Sequence, residues 1–238
     1  MPDKAGSDLD VQTSLRGIAK TASLNKQHRF RDLYRLLNTE MLHLAWRGLK
    51  KSAAIADKDI TVKEYGAELD VNLERLVERL RQKRYRAKLV KRRYIRKENG
   101  KKRPLGIPAL EDKIVQKGAS KILSAIYEQD FLDCSYGYRL GKGAKDAVSD
   151  LAFQFQYGVF GYVVEADIKG YFDNIDHDQL ITMMEKRIND RAFLQLITKW
   201  LKAGILEPDG YVKHPVTGTP QGGIVTPRTQ KVTLNFYE

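Results

Sequence analysis

The sequence holds a single cysteine, Cys134, and four histidines in 238 residues. One thiol cannot staple a fold, and His28, His43, His177 and His214 are scattered without metal-ligand spacing. Disulfide scaffolds and zinc modules are therefore excluded, and a reducing, cytoplasmic setting is expected. No run of about 18 apolar residues occurs, so no membrane span is expected. Met1 to Lys20 is polar and lacks the apolar stretch of a secretory signal. Internal repeats and low-complexity tracts are also missing.

What the chain has in quantity is positive charge, concentrated in one place. Its net charge is +12, with 42 Lys and Arg against 30 Asp and Glu. The window from Arg75 to Arg103 holds 15 basic residues and two acids, Glu78 and Glu98, so it alone carries +13. The remainder is close to neutral. Such a stripe points to a polyanionic partner, nucleic acid first and an anionic membrane second; a solvated helical face is the plainer alternative. At 42% hydrophobic residues the chain can build a core of one or two domains.

Periodicity sets out the elements. Residues 1–24 show no hydrophobic period and read as a flexible tail. Phe30, Leu33, Leu37, Met41 and Leu44 predict a helix over about 26–50. Thr61 with Glu64 makes a capping box that opens a helix with Leu69, Leu73, Leu76 and Leu80 inward. Val90, Tyr94 and Ile95 suggest extended structure, and the turn at Glu98-Asn99-Gly100 makes a basic hairpin ending near Pro104 and Pro108. A helix follows over about 111–129, then another with Ala147, Val148, Leu151 and Phe155 on one face. Residues 160–168 form a short apolar run, read as a buried strand. Asp176 and Asp190 cap two further helices, and Pro208-Asp209-Gly210 turns between two short strands.

Asp167 stands at the C-terminal end of the apolar run, where strand ends of α/β sheets present side chains to ligands. A carboxylate there can hold Mg2+, a hard cation that prefers oxygen and bridges to phosphates. Two-metal phosphoryl transfer needs at least a second carboxylate. Asp173 and Asp176 lie close in sequence, although a turn residue and a helix cap are the simpler readings of these two.

Four phrases, in this order, resemble the reverse transcriptases encoded by group II introns. They are Arg92 to Pro108 with Asp112 to Gln116, Phe131 to Arg139, Val163 to His177, and Gly218 to Pro227. The resemblance covers about 28–238, most firmly 88–227. It implies an α/β (α+β) chain: right-hand polymerase fingers and an incomplete palm behind a helical N-terminal extension. The bounds read as tail 1–24, extension 25–87, fingers 88–145 and partial palm 146–238, with the polymerase domain continuous across 88–238.

The resemblance also implies roles. Asp167 would be catalytic and would hold two Mg2+ ions, with the Ile168 carbonyl as a further ligand. Phe172 would stack under the incoming sugar and exclude a 2′-hydroxyl. Lys97 and Arg103 would clamp the triphosphate, and Gln221 would contact the incoming nucleotide. Arg139 would lie near the template. Arg84, Arg86, Lys88, Lys91, Arg92 and Arg93 are read as a phosphate-tracking surface for template or intron RNA. The implied partners are RNA, a DNA primer and deoxynucleotides. Trp200 reads as core, and His177 as support for the start of its helix.

The chain departs from the family pattern at Arg96, at Leu140 and in Arg228 to Lys231, where polar residues enter an apolar helix. The family's Tyr/Phe-x-Asp-Asp motif does not follow. The expectation is therefore a fragment or truncated reading frame, inactive alone, with an open strand edge in its palm. A non-catalytic RNA-binding maturase-like module and a decaying remnant are the alternatives.

Overall fold

The computed structural model describes residues 4–52, 55, 60–96, 100, 102–219 and 222–235. The chain opens with helix α1 (Lys4–Leu24), where the sequence suggests a tail. Val11, Leu15, Ile18 and Ala22 recur at helical spacing, and all four pack into the core. Few and widely spaced, these apolar residues are diluted by polar ones, so the stripe shows only against its partner α5 (Leu110–Tyr127).

The expected helix over 26–50 is broken. Asp32 adopts a left-handed conformation, a 3-10 turn follows over Leu33–Leu36, and α2 (Thr39–Arg47) begins afresh. The break has a local cause: the Asn38 side chain accepts from the Met41 amide at 2.9 Å, a cap that favours a new start. The Thr61–Glu64 capping box opens α3 (Val62–Ala67) as expected. The chain then interrupts itself at Glu68 before α4 (Leu69–Arg81), which buries Leu73, Leu76, Val77 and Leu80.

The basic hairpin forms as β1 (Val90–Arg96) and β2 (Lys102–Ile107), antiparallel, with Tyr94 opposite Pro104 and Ile95 opposite Arg103. At its open end β1 pairs in parallel with β3 (Ile205–Leu206), which turns through Pro208-Asp209-Gly210 into β4 (Val212–Lys213). The sheet order is β2-β1-β3-β4.

Helix α5 is the axis of the molecule. Helices α1 and α2 and the final helix α10 (Thr226–Asn235) pack on it, and it is buried along most of its length. Helix α8 (His177–Glu185) packs on α9 (Arg191–Leu201) and α10. Asp176 and Asp190 cap α8 and α9 through the Gln179 and Phe193 amides. Phe193, Ile197, Trp200 and Leu201 face inward as their spacing predicts. One cluster of buried residues runs from Val11 to Val232, across the bounds at 87/88 and 145/146.

Two segments stand outside that core. Helix α6 (Ala144–Tyr157) buries none of its residues, and Val148, Leu151 and Phe155 are all exposed. Residues 160–168 form no strand. Tyr162 is 94% and Val164 90% exposed, contrary to the buried strand expected. An apolar run becomes a strand only when its amides and carbonyls are paired and its faces covered. Among the described residues no strand lies alongside it.

Candidate active site

The site is built where the exposed segment re-enters the fold. Gly170, at φ 64°, turns the chain into the single helical turn α7 (Tyr171–Asn174). This turn is welded to the segment before the last glycines. Thr219 and Gly218 donate their amides to the carbonyls of Phe172 and Ile175, both at 2.8 Å, and Thr217 Oγ1 donates to the Asp173 carbonyl at 3.1 Å. Only glycine fits at 218, at φ 82°: a Cβ would lie 2.8 Å from the Asp173 carbonyl oxygen.

His177 completes the weld. It is buried, and Nε2 lies 2.6 Å from the Gly218 carbonyl oxygen. That contact requires the proton on Nε2, and Nδ1 is buried without a hydrogen-bond partner among the described residues. The role read from sequence, support for a helix start, was too local: His177 ties that start to the glycine loop 41 residues on.

Beyond the weld, the loop meets the fingers. Ile224 donates its amide to Gln116 Oε1 at 2.9 Å, and Gly222 sits so close to β2 that a Cβ would be 2.5 Å from the Gly106 carbonyl oxygen. One short segment thus joins the base of the hairpin, α5 and the α7 turn.

Asp167, Ile168, Phe172 and Asp173 line one cleft of about 560 Å³, walled on its other side by Tyr138 and Lys231. The structure therefore brings together three of the residues chosen from sequence, Asp167, Ile168 and Phe172. Asp167 is exposed, and Phe172 is half-buried with its ring edge-on to Tyr171. Arg103 is exposed on β2. Lys97 and Gln221 lie outside the described residues. No group of three or more carboxylate, histidine or cysteine side chains able to hold a metal occurs among the described residues. Asp167, the Ile168 carbonyl and Asp173 thus make at most part of a donor set for two dications.

Two arginines assigned to nucleic acid have other work. Arg139 is largely buried; its guanidinium pairs with Glu128 at 3.1 Å, donates to the Leu132 carbonyl at 2.7 Å and lies over the Phe131 ring. It folds the loop before α6. Arg92 pairs with Glu207 at 3.3 Å, and Tyr94, two residues on and so on the same strand face, donates to the other Glu207 oxygen at 3.0 Å. Glu207 thereby holds β1 to β3. Arg84, Arg86, Lys88 and Arg93 are exposed, and Lys91 is half-buried.

Other residues that support the site left little trace in the sequence. Asp112 receives the Tyr85 hydroxyl and, at 2.9 Å, the Lys88 amide; Trp200 Nε1 donates to the Tyr85 hydroxyl at 2.9 Å. Burial, then the Asp112 charge, drives the Tyr85 phenol well above its ordinary pKa, so it stays protonated and donates. This network ties the segment after α4 to α5 and α9 beneath the hairpin. Lys231, one of the polar residues that depart from the family's apolar helix, is 5% exposed; its ammonium donates to the Gly137 carbonyl at 2.5 Å and lies over the Phe131 ring.

A fingers hairpin docked on a glycine loop, with an aspartate and an aromatic in the adjoining cleft, is polymerase architecture. The family model for Reverse transcriptase (RNA-dependent DNA polymerase) matches residues 95–236, and the chain belongs to that family. Two of the relatives below carry an intron in their names. The Group II intron-encoded protein LtrA of Lactococcus lactis subsp. cremoris is 37% identical over 223 residues, 93% of this chain and 37% of that protein. The "Uncharacterized 91 kDa protein in cob intron" of Schizosaccharomyces pombe is 35% identical over 87% of this chain and 25% of its own length. Protein YkfC of Escherichia coli is 36% identical over 72% of this chain and 46% of its own length. The chain thus spans well under two thirds of each. Among solved structures, a chain of the partial Cas6-RT-Cas1--Cas2 complex superposes with a TM-score of 0.53 at 23% identity, over 84% of this chain and 33% of that one. That likeness speaks to fold alone.

Proposed function

We propose that this chain supplies the fingers and part of the palm of a group II intron-type RNA-directed DNA polymerase. The Asp167 cleft is the nucleotidyl-transfer site. The observation that carries this reading is that Asp167, Ile168 and Phe172, from one stretch of sequence, line a single cleft bound to the base of the fingers hairpin. Its substrates are an RNA template, a DNA primer end and a deoxynucleoside triphosphate. The family works with divalent metal ions, and Mg2+ is the ion proposed here, with the Asp167 carboxylate and the Ile168 carbonyl among its ligands. Phe172 backs the incoming sugar, and Arg103 reaches the triphosphate from β2.

The test is primer extension on an RNA template with Mg2+ and deoxynucleotides. Residues 1–238 alone are expected to extend poorly, because the described donor set leaves two dications short of negative charge. Any synthesis that does occur is expected to vanish in Asp167→Asn; synthesis that survives the substitution would place the chemistry elsewhere.

A second reading, RNA binding without catalysis, is favoured by the same shortage of carboxylates beside an exposed basic stripe. It predicts RNA affinity falling with salt at a log–log slope of about −0.7 to −0.9 per phosphate neutralised. Changing Arg84, Arg86 and Arg93 to Gln is expected to flatten that slope by roughly 2–3. An unchanged slope would remove the stripe from the RNA surface.

A further inference from the structure

Tyr138 combines backbone strain with exposure at the edge of the Asp167 cleft. It lines that cleft with Asp167 and Phe172, is 63% exposed, and holds φ at 56°. A bulky residue seldom adopts this left-handed backbone, and it persists only where the surroundings over-determine it.

Both neighbours of Tyr138 are anchored. The Lys231 ammonium reaches from α10 and donates to the Gly137 carbonyl at 2.5 Å. The Arg139 guanidinium pairs with Glu128 at 3.1 Å and donates to the Leu132 carbonyl at 2.7 Å. Both cations lie over one buried ring, that of Phe131, at 4.8 Å from its centroid for Lys231 and 5.8 Å for Arg139. A cation beside a desolvated aromatic ring is held by the ring's quadrupole. Residues 137 and 139 are thus fixed against a common support, and the residue between them borders the cleft. The same arrangement gives Lys231 a purpose. The family pattern is apolar at that helix, and a lysine in a core is costly unless its ammonium is paired. Here it is paired with the carbonyl next to Tyr138.

We infer that Tyr138 is the base platform of the Asp167 cleft: its ring stacks on the nucleobase of the incoming deoxynucleotide, and Lys231 and Arg139 are positioning residues that hold it there. A ring this exposed contributes little to the core, and a tyrosine on fixed backbone has only two side-chain torsions left to order. Every nucleobase offers a π-face, so the platform adds affinity without choosing among the four bases. The cleft, at about 560 Å³, falls among the sizes that hold small molecules. The inference rests on the proposed nucleotidyl-transfer reading of this cleft and adds the base contact to it.

The experiment uses the full chain, 1–238, on an RNA template with a dideoxy-terminated DNA primer and adenine as the next template base. In the presence of Mg2+, dTTP is titrated calorimetrically, and 5-iodo-dUTP is photo-crosslinked and mapped by peptide. The crosslink is expected on Tyr138. Tyr138→Asn keeps a residue that tolerates left-handed backbone but loses the ring; dTTP affinity is expected to fall roughly 5- to 150-fold with the melting midpoint unchanged. Tyr138→Phe is expected to bind as the unaltered chain does. Lys231→Met is expected to weaken dTTP and to lower the crosslink yield, and Lys231→Arg to restore both. Because Lys231 acts through Tyr138, the double variant Tyr138→Asn with Lys231→Met is expected to bind no more weakly than Tyr138→Asn alone. A further loss in the double variant would overturn the positioning role and place Lys231 on the nucleotide itself. Crosslinks that fall on 166–173 and bypass Tyr138, or an undiminished affinity in Tyr138→Asn, would overturn the platform while leaving the cleft reading intact. Neither heat nor a crosslink in the cleft would overturn both.

Discussion

Arg187 shows how one side chain can hold distant parts of this polypeptide together. It is 4% exposed, pairs with Asp130 at 2.9 Å, and donates to the carbonyls of Ala22, Asn25 and His28. A lone arginine after a helix gives no sequence signal for such a role, since its acceptors are backbone groups more than 150 residues away. Arg187→Ala is expected to cost about 1–3 kcal/mol in a denaturant titration, because it leaves Asp130 with only the more distant Lys26 and removes the donor from three carbonyls at once. Tyr65 is the opposite case: its hydroxyl is buried without a hydrogen-bond partner among the described residues. Tyr65→Phe is expected to raise stability by about 1 kcal/mol in the same titration. Burial also lifts the phenols of Tyr65, Tyr85 and Tyr127 above their ordinary value. In the unfolded chain they ionise near pH 10, so their contribution is complete below that pH and is lost as pH rises beyond it. Denaturation midpoints measured at rising pH are expected to fall above about pH 10, and less steeply in Tyr65→Phe.

At the scale of elements, the sequence was most legible where the signal is local. The Thr61 capping box, the Asp176 and Asp190 caps, the basic hairpin and the inward face of α9 all stand where side-chain spacing and turn chemistry place them. The candidate site was legible through one contiguous motif, which delivered Asp167, Ile168 and Phe172 to one cleft. Distance hid the rest. Whether Arg92 and Arg139 face RNA or a carboxylate depends on Glu207, 115 residues away, and on the loop fold around Glu128. The run 160–168 has the composition of a buried strand but no partner strand among the described residues, and composition cannot supply one. Gly218→Ala tests the weld: αL strain with a backbone clash is expected to cost about 1–3 kcal/mol. Hydrogen exchange is expected to speed up at the Gly218 and Thr219 amides and to stay unchanged in α9; uniform change in both places would contradict a local weld.

At the scale of the whole molecule, a continuous core coexists with an uncovered apolar surface. Leu151, Phe155, Phe160, Tyr162 and Val164 are all at least half exposed, whereas most buried apolar residues from Val11 to Val232 form one large cluster, with a small second one of Val90, Ala203 and Ile205. The chain is therefore expected to bind an apolar dye in its native state and still melt in one cooperative step. A remnant without a packed core would bind dye and melt without a transition. Replacing Phe155 and Val164 with Ser is expected to reduce dye binding without shifting the melting midpoint, since neither contributes to the core.

The Arg187 stitch also sets an order of events during synthesis. The segment Ala22–Phe30 leaves the ribosome well before its clasp, and its backbone acceptors wait for a residue translated more than 150 positions later. At ordinary elongation rates of about 5–20 residues per second, that wait lasts roughly 8–30 s. The hairpin β1–β2 can close early from its own turn, but its parallel partner Ile205–Leu206 arrives later still. Ala22–Phe30 is thus completed only once residue 187 has emerged, and a ribosome stalled before that residue would present the segment with its clasp still unmade.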